Sequence, residues 1–100
     1  MERGLKGMIK RVSMWRLKDP SEAEHMKGAL LSMQGNVPSL CAIEVGVNTS
    51  THHSALDVVF IGSFEDASAL AEFDKDRFHK SVGRLVGALK EERVVVEYEV

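Results

Sequence analysis

The chain has 100 residues, 44% of them hydrophobic, with 13 Lys and Arg against 15 Asp and Glu and a formal charge of −2. That composition describes one small domain with a modest core, and the balanced charge argues against a dedicated nucleic-acid or anionic-membrane surface. No apolar run reaches the roughly 20 residues of a membrane span, and the single cysteine, Cys41, has no internal disulfide partner, as suits a cytoplasmic protein.

Residues 1–7, MERGLKG, read as a short basic leader ahead of a domain spanning 8–100. Met8 to Leu17 is β-like. Ile9, Arg11, Ser13, Trp15 and Leu17 share one face of it, and Met8, Lys10, Val12, Met14 and Arg16 share the other. Asp19-Pro20-Ser21-Glu22 is a helix start, with Asp19 able to cap, Pro20 suited to the first turn and Glu22 three residues after the cap. Ala23, Met26, Leu30 and Met33 follow at helical spacing as a core stripe, and Gly35-Asn36 closes that helix. Leu40 to Val47 is a second strand, 48–54 a polar loop, and Leu56 to Phe64 a third strand.

Glu65 and Asp66 open a helical region that breaks near Asp74 to Asp76 and resumes through Glu91, and Arg93 to Val100 is a fourth strand. The order is β-α-β-β-α-β, an α+β ferredoxin-like chain with a four-stranded antiparallel sheet. A sheet with one wet face alternates apolar and polar residues. Here Val58 and Phe60 oppose Val59 and Ile61, and Val94 and Val96 oppose Val95, so both faces are apolar. Two helices cover only one face. A second copy of the chain is the expected cover for the other.

The runs MIKRVSMWRLKD, IEVGVN at 43–48, ALDVVFIGSFED at 55–66 and VVVEYEV at 94–100 together resemble the stress-responsive A/B barrel (Dabb) family. The resemblance implies a homodimer whose sheets pack through their faces into an α/β barrel. It also puts Arg11, Ser13 and Trp15 on the barrel lumen. A cofactor-free plant polyketide cyclase of that family works through a tyrosine and the second histidine of a Tyr-x-x-His-Pro-x-His segment. Laid on FDKDRFH, the segment sets Phe73 at the tyrosine, Asp76 at the first histidine and His79 at the second, while a first-strand histidine falls on Arg11.

Periodicity gives its own view of His79. Phe78, Val82, Leu85, Val86 and Leu89 form the apolar stripe of the last helix, and His79 lies at its edge, able to reach a cavity rim. Asp76, one turn earlier, is placed to orient the imidazole and favour its charged form. Arg11, Ser13, Trp15, Phe73 and Asp76 are the candidate ligand residues, for a small anionic or aromatic molecule, and His79 is the candidate catalytic residue. The competing reading pairs Arg11 with a strand carboxylate and makes Trp15 a plug.

Cys41 reads as a buried structural thiol, His25 as exposed, and His52-His53 as solvated. No cofactor loop or metal motif is present, and neither group is expected. Three function classes stay open: a small-molecule-binding dimer, a cofactor-free cyclase-like or monooxygenase-like enzyme using His79, and a structural or partner-binding dimer with a filled barrel.

Overall fold

The computed structural model of the chain describes residues 7–100, so the expected leader lies outside the described residues except for Gly7. Strand β1 (Ile9–Leu17) leads through a 3-10 turn (Pro20–Glu22) into helix α1 (Ala23–Leu31). β2 (Ala42–Val47) and β3 (Val58–Phe64) follow, then α2 (Ala67–Lys75), α3 (Arg77–Leu89) and β4 (Lys90–Glu99). The strands form one antiparallel sheet in the order β2-β3-β1-β4, which bears out the expected ferredoxin-like order.

Local chemistry explains most boundaries. The Asp19 carboxylate accepts the Ser21 N–H at 3.0 Å and opens the turn before α1. α1 closes at Leu31, earlier than expected. Met33 is nevertheless buried, in the turn that follows, and Gly35 supplies the left-handed φ of +82° that reverses the chain. Asp66 caps α2 by accepting from Ala69 N at 2.9 Å. The last helix stops at Leu89, where its apolar period ends, and β4 begins at once at Lys90 instead of Arg93.

The register settles which sheet face does what. Ser13 stands between Phe60 and Val95, and Trp15 between Val58 and Arg93, so these side chains share one face. That face carries the core. Trp15, Leu17, Val45, Val58, Phe60 and Phe64 pack there against Met26 and Leu30 of α1, Phe73 of α2, and Val82 and Val86 of α3.

The opposite face holds the cross-strand pairs Val12–Val96, Met14–Val94 and Lys10–Tyr98, and no helix covers it. Val96 is 54% exposed and Tyr98 47%. The face of β1 that bears Arg11, Ser13 and Trp15 is therefore the helix-covered one, which corrects its expected placement on a barrel lumen. Alternation along a strand separates two faces without saying which one the helices choose. Cys41 is also corrected: it is exposed, because it lies just ahead of the edge strand β2, tied only by its N–H to the Ser63 carbonyl at 2.8 Å.

Candidate functional site

A cavity of about 280 Å³ lies between the sheet and α1 and α3, with Phe73 and Asp74 from the end of α2 at its side. Small-molecule sites run from roughly 300 Å³ upward, so this one suits a compact guest. Arg11, Ser13, Trp15, Phe73 and His79 all line it. Asp76 does not.

One residue sets the geometry of the helical wall. Asp76 ends α2 and starts α3 with an extended backbone (φ −65°, ψ 133°), and its carboxylate accepts the His79 N–H at 3.0 Å. The side chain expected to orient the imidazole is thus spent as a helix cap, one turn before His79 but bonded to its backbone. The tight joint folds α3 back on α2, so that the His79 ring stacks on Phe73 with centroids 3.8 Å apart and planes at 21°. Phe73 is itself fixed, 1% exposed and tilted against Phe64 at 4.9 Å.

The Phe73 carbonyl lies 2.8 Å from His79 Nδ1. A carbonyl can only accept, so Nδ1 carries the proton and the neutral ring keeps its lone pair on Nε2. Burial holds His79 below the ordinary histidine range, outweighing the opposing pulls of the Phe73 carbonyl, Asp74 and Asp76. The neutral form, not the expected charged one, is favoured. Sequence reasoning counted the nearby carboxylate and missed the desolvation that α3 and the sheet impose.

Arg11 makes a fork to Asp74, with Nη1–Oδ1 at 2.8 Å and Nη2–Oδ2 at 3.0 Å, and donates from Nε to Glu97 at 2.6 Å. The competing sequence reading, an arginine paired with a strand carboxylate, is realised through Glu97 of β4. Asp74 adds a second acid that no strand pattern announced. The bonds to Asp74 and Glu97 hold the guanidinium firmly protonated, and the Arg11 bond holds Asp74 below the ordinary carboxylate range. Arg11 is thereby neutralised in place, with its guanidinium carbon 5.8 Å from the Phe73 centroid.

Ser13, 1% exposed, accepts from Arg93 Nη2 at 3.1 Å. Trp15, 4% exposed, presents an indole N–H that is buried with no acceptor. An orphaned buried donor of this kind costs about 1–3 kcal/mol. Lys90 and Arg93 complete the rim, and both were missed from the sequence. Of the remaining histidines, His25 is exposed and contacts Glu22 at 2.9 Å, and His52 and His53 stack on each other on the exposed loop. Among the described residues, no three His, Cys, Asp or Glu side chains gather in a way that would hold a metal ion, and no helix is long and apolar enough to cross a membrane.

The family model for the stress responsive A/B barrel domain matches residues 9–100. The fold is similar to that of a dimeric protein of unknown function from Bacteroides fragilis, at TM-score 0.83 and 20% identity, covering 96% of this chain and 99% of that one. It is similar to hydroxynitrile lyase from Passiflora edulis, at TM-score 0.83 and 11% identity, covering 95% and 94%. A Dabb family protein from Mesorhizobium loti matches at TM-score 0.72 and 18% identity, covering 93% and 96%. A search of curated proteins finds no significant match.

Proposed function

The chain belongs to the stress responsive A/B barrel family, and on that premise we propose that it is a cytoplasmic, dimeric binding protein for a compact small molecule held between the sheet and α3. The observation that carries the reading is the pairing of a preformed cavity with polar groups that have nothing to bind. The buried Trp15 N–H has no acceptor, and His79, its Nδ1 held by the Phe73 carbonyl, lines the same space.

Dimerisation is supported by the uncovered face of the sheet. Val12, Met14, Val94, Val96 and Tyr98 form a continuous apolar surface across β1 and β4, larger in kind than monomers leave wet. Solved relatives of this fold from Bacteroides fragilis and Thermobifida fusca are described as dimeric.

A second reading is favoured by the imidazole alone. A neutral histidine with Nδ1–H tied to a carbonyl is poised to take a proton through Nε2, which fits cofactor-free proton-transfer chemistry. Phe73 supplies no hydroxyl to act with it.

The test is a small-molecule screen read by thermal shift on the wild type and on His79→Ala. Ligands that stabilise the wild type are expected to lose most of that stabilisation in the variant. Equal stabilisation makes His79 a bystander, and a screen without any ligand removes the binding reading. Turnover of a stabilising ligand by the wild type but not by His79→Gln would select the enzymatic reading.

A further inference from the structure

We propose that the part of the cavity bounded by Ser13, Trp15, Lys90 and Arg93 is a carboxylate subsite, so that the guest is a compact monocarboxylate with an apolar body. The proposal rests on the binding reading above and names the chemistry of what is bound.

Charge is the first support. The cavity is lined by three cations, Arg11, Lys90 and Arg93, and by one carboxylate, Asp74. Both oxygens of Asp74 are taken by Arg11, whose remaining Nε bond goes to Glu97. That cluster sets one cation against two carboxylates, the second of them, Glu97, outside the cavity wall. Among the described residues neither Lys90 nor Arg93 forms an ion pair, though Arg93 lies within electrostatic reach of Asp74, so two cations without a bonded carboxylate line one small space in a chain whose formal charge is −2. Such a space concentrates anions.

Donor inventory is the second, independent support. The Trp15 indole is buried, lines the cavity and has no acceptor. The Ser13 hydroxyl accepts from Arg93, which leaves its own hydrogen free to donate. Trp15 and Arg93 are direct cross-strand partners, Lys90 is the partner of Leu17 two residues along the same face, and Ser13 is two residues the other way. Indole, hydroxyl, guanidinium and ammonium are thus neighbours on one sheet face, with no acceptor among them except the serine oxygen. A carboxylate is acceptor-only and offers about four lone-pair sites. The rest of the wall, including Leu30, Met33, Phe60, Val82 and Val86, is hydrocarbon and sets the apolar body of the guest.

The sheet is built to produce this rim. The β1–β4 register slips after Arg16, which faces Glu92, so that Leu17 faces Lys90 and Glu91 is left over. Unbroken alternation would set the Glu91 carboxylate beside Arg93 on the cavity side. The bulge sets an ammonium there instead.

Trp15 is the chain's one tryptophan, so its fluorescence reports occupancy of the subsite directly. The probes are cyclohexanecarboxylate and its uncharged amide, cyclohexanecarboxamide, neither of which absorbs where indole is excited. The carboxylate is expected to shift the emission saturably and to bind about tenfold or more tightly than the amide, the margin that charge-assisted bonds confer. Arg93→Gln is expected to erase that preference and Arg93→Lys to restore part of it. Arg16→Gln, which strips the same charge from the opposite face, should leave it intact. Trp15→Phe, followed by calorimetry, is expected to weaken the carboxylate about fivefold. Equal binding of carboxylate and amide to the wild type overturns the subsite while the binding reading stands, as does an undiminished preference in Arg93→Gln. If neither probe binds, both fall.

Discussion

His79 is joined to Phe73 twice: their rings stack at 3.8 Å, and the histidine Nδ1–H donates to the phenylalanine carbonyl at 2.8 Å. The double tie fixes both the position of the ring and the nitrogen that carries its proton. Burial opposes a charged ring and outweighs the Phe73 carbonyl, Asp74 and Asp76, which favour it.

A pH dependence follows with a definite sign. The folded His79 binds its proton less readily than the unfolded one, whose value is about 6.5. The stabilisation from the neutral ring is therefore full above about pH 6.5 and is lost as pH falls below it toward the lower folded value. NMR titration of the His79 ring should show a midpoint below that of a free histidine. Urea midpoints between pH 7.5 and 5 should fall less in His79→Asn than in the wild type.

Arg11→Met leaves Asp74 and Glu97 facing each other across an apolar side chain. Their side chains are 49% and 41% exposed, so water recovers much of the loss, and the expected cost is about 1–2 kcal/mol in urea unfolding at pH 7. Asp74 should titrate nearer the ordinary carboxylate range in the variant, since the Arg11 bond is what lowers it.

Gly62 has no room for a side chain. A Cβ there would stand 2.6 Å from the tip of the Phe60 ring, and Phe60 is buried in the core beneath the helices. Gly62→Ala is expected to destabilise by about 1–3 kcal/mol, measured by chemical denaturation, with the cavity wall at Phe60 displaced.

The proposed dimer predicts the effect of charge on the open sheet face. Val96→Asp lies opposite Val12 in the middle of that face and should convert a dimer to a monomer in sedimentation at micromolar concentration. Arg84→Asp, on the wet side of α3, should leave the dimer intact. A wild-type chain that sediments as a monomer would remove the dimer from the proposal.

The order of elements was legible because each boundary carries its own chemistry, Asp19 before α1 and Asp66 before α2 among them. The two faces of β1 were legible from alternation, and the presence of His79 at a cavity edge from helical period. What alternation could not carry was the choice of covered face, since Val12 and Trp15 are both apolar and only three-dimensional packing decides between them. Asp76 was misread because a carboxylate one turn before a histidine reaches either its ring or its backbone, and the break between helices gave the backbone first claim. Lys90 was missed because a one-residue slip in the β1–β4 register moves it to the cavity side, and Arg93, in unbroken register opposite Trp15, because strand pairing was not read from the sequence. The run KEER directly ahead of Val94, Val95 and Val96 was the signal available.

The single-residue joint at Asp76 also governs which changes of length the chain can absorb. Each residue of a helix turns about 100°, so one residue inserted between Lys75 and Arg77 swings His79 by that angle about the α3 axis, away from Phe73 and out of the cavity. The exposed loop of residues 48–54 between β2 and β3 contributes nothing to that wall and can lengthen freely. Among natural variants of this chain, insertions should therefore gather in the hairpin loop and be absent from the α2–α3 joint, even where the histidine itself has been replaced.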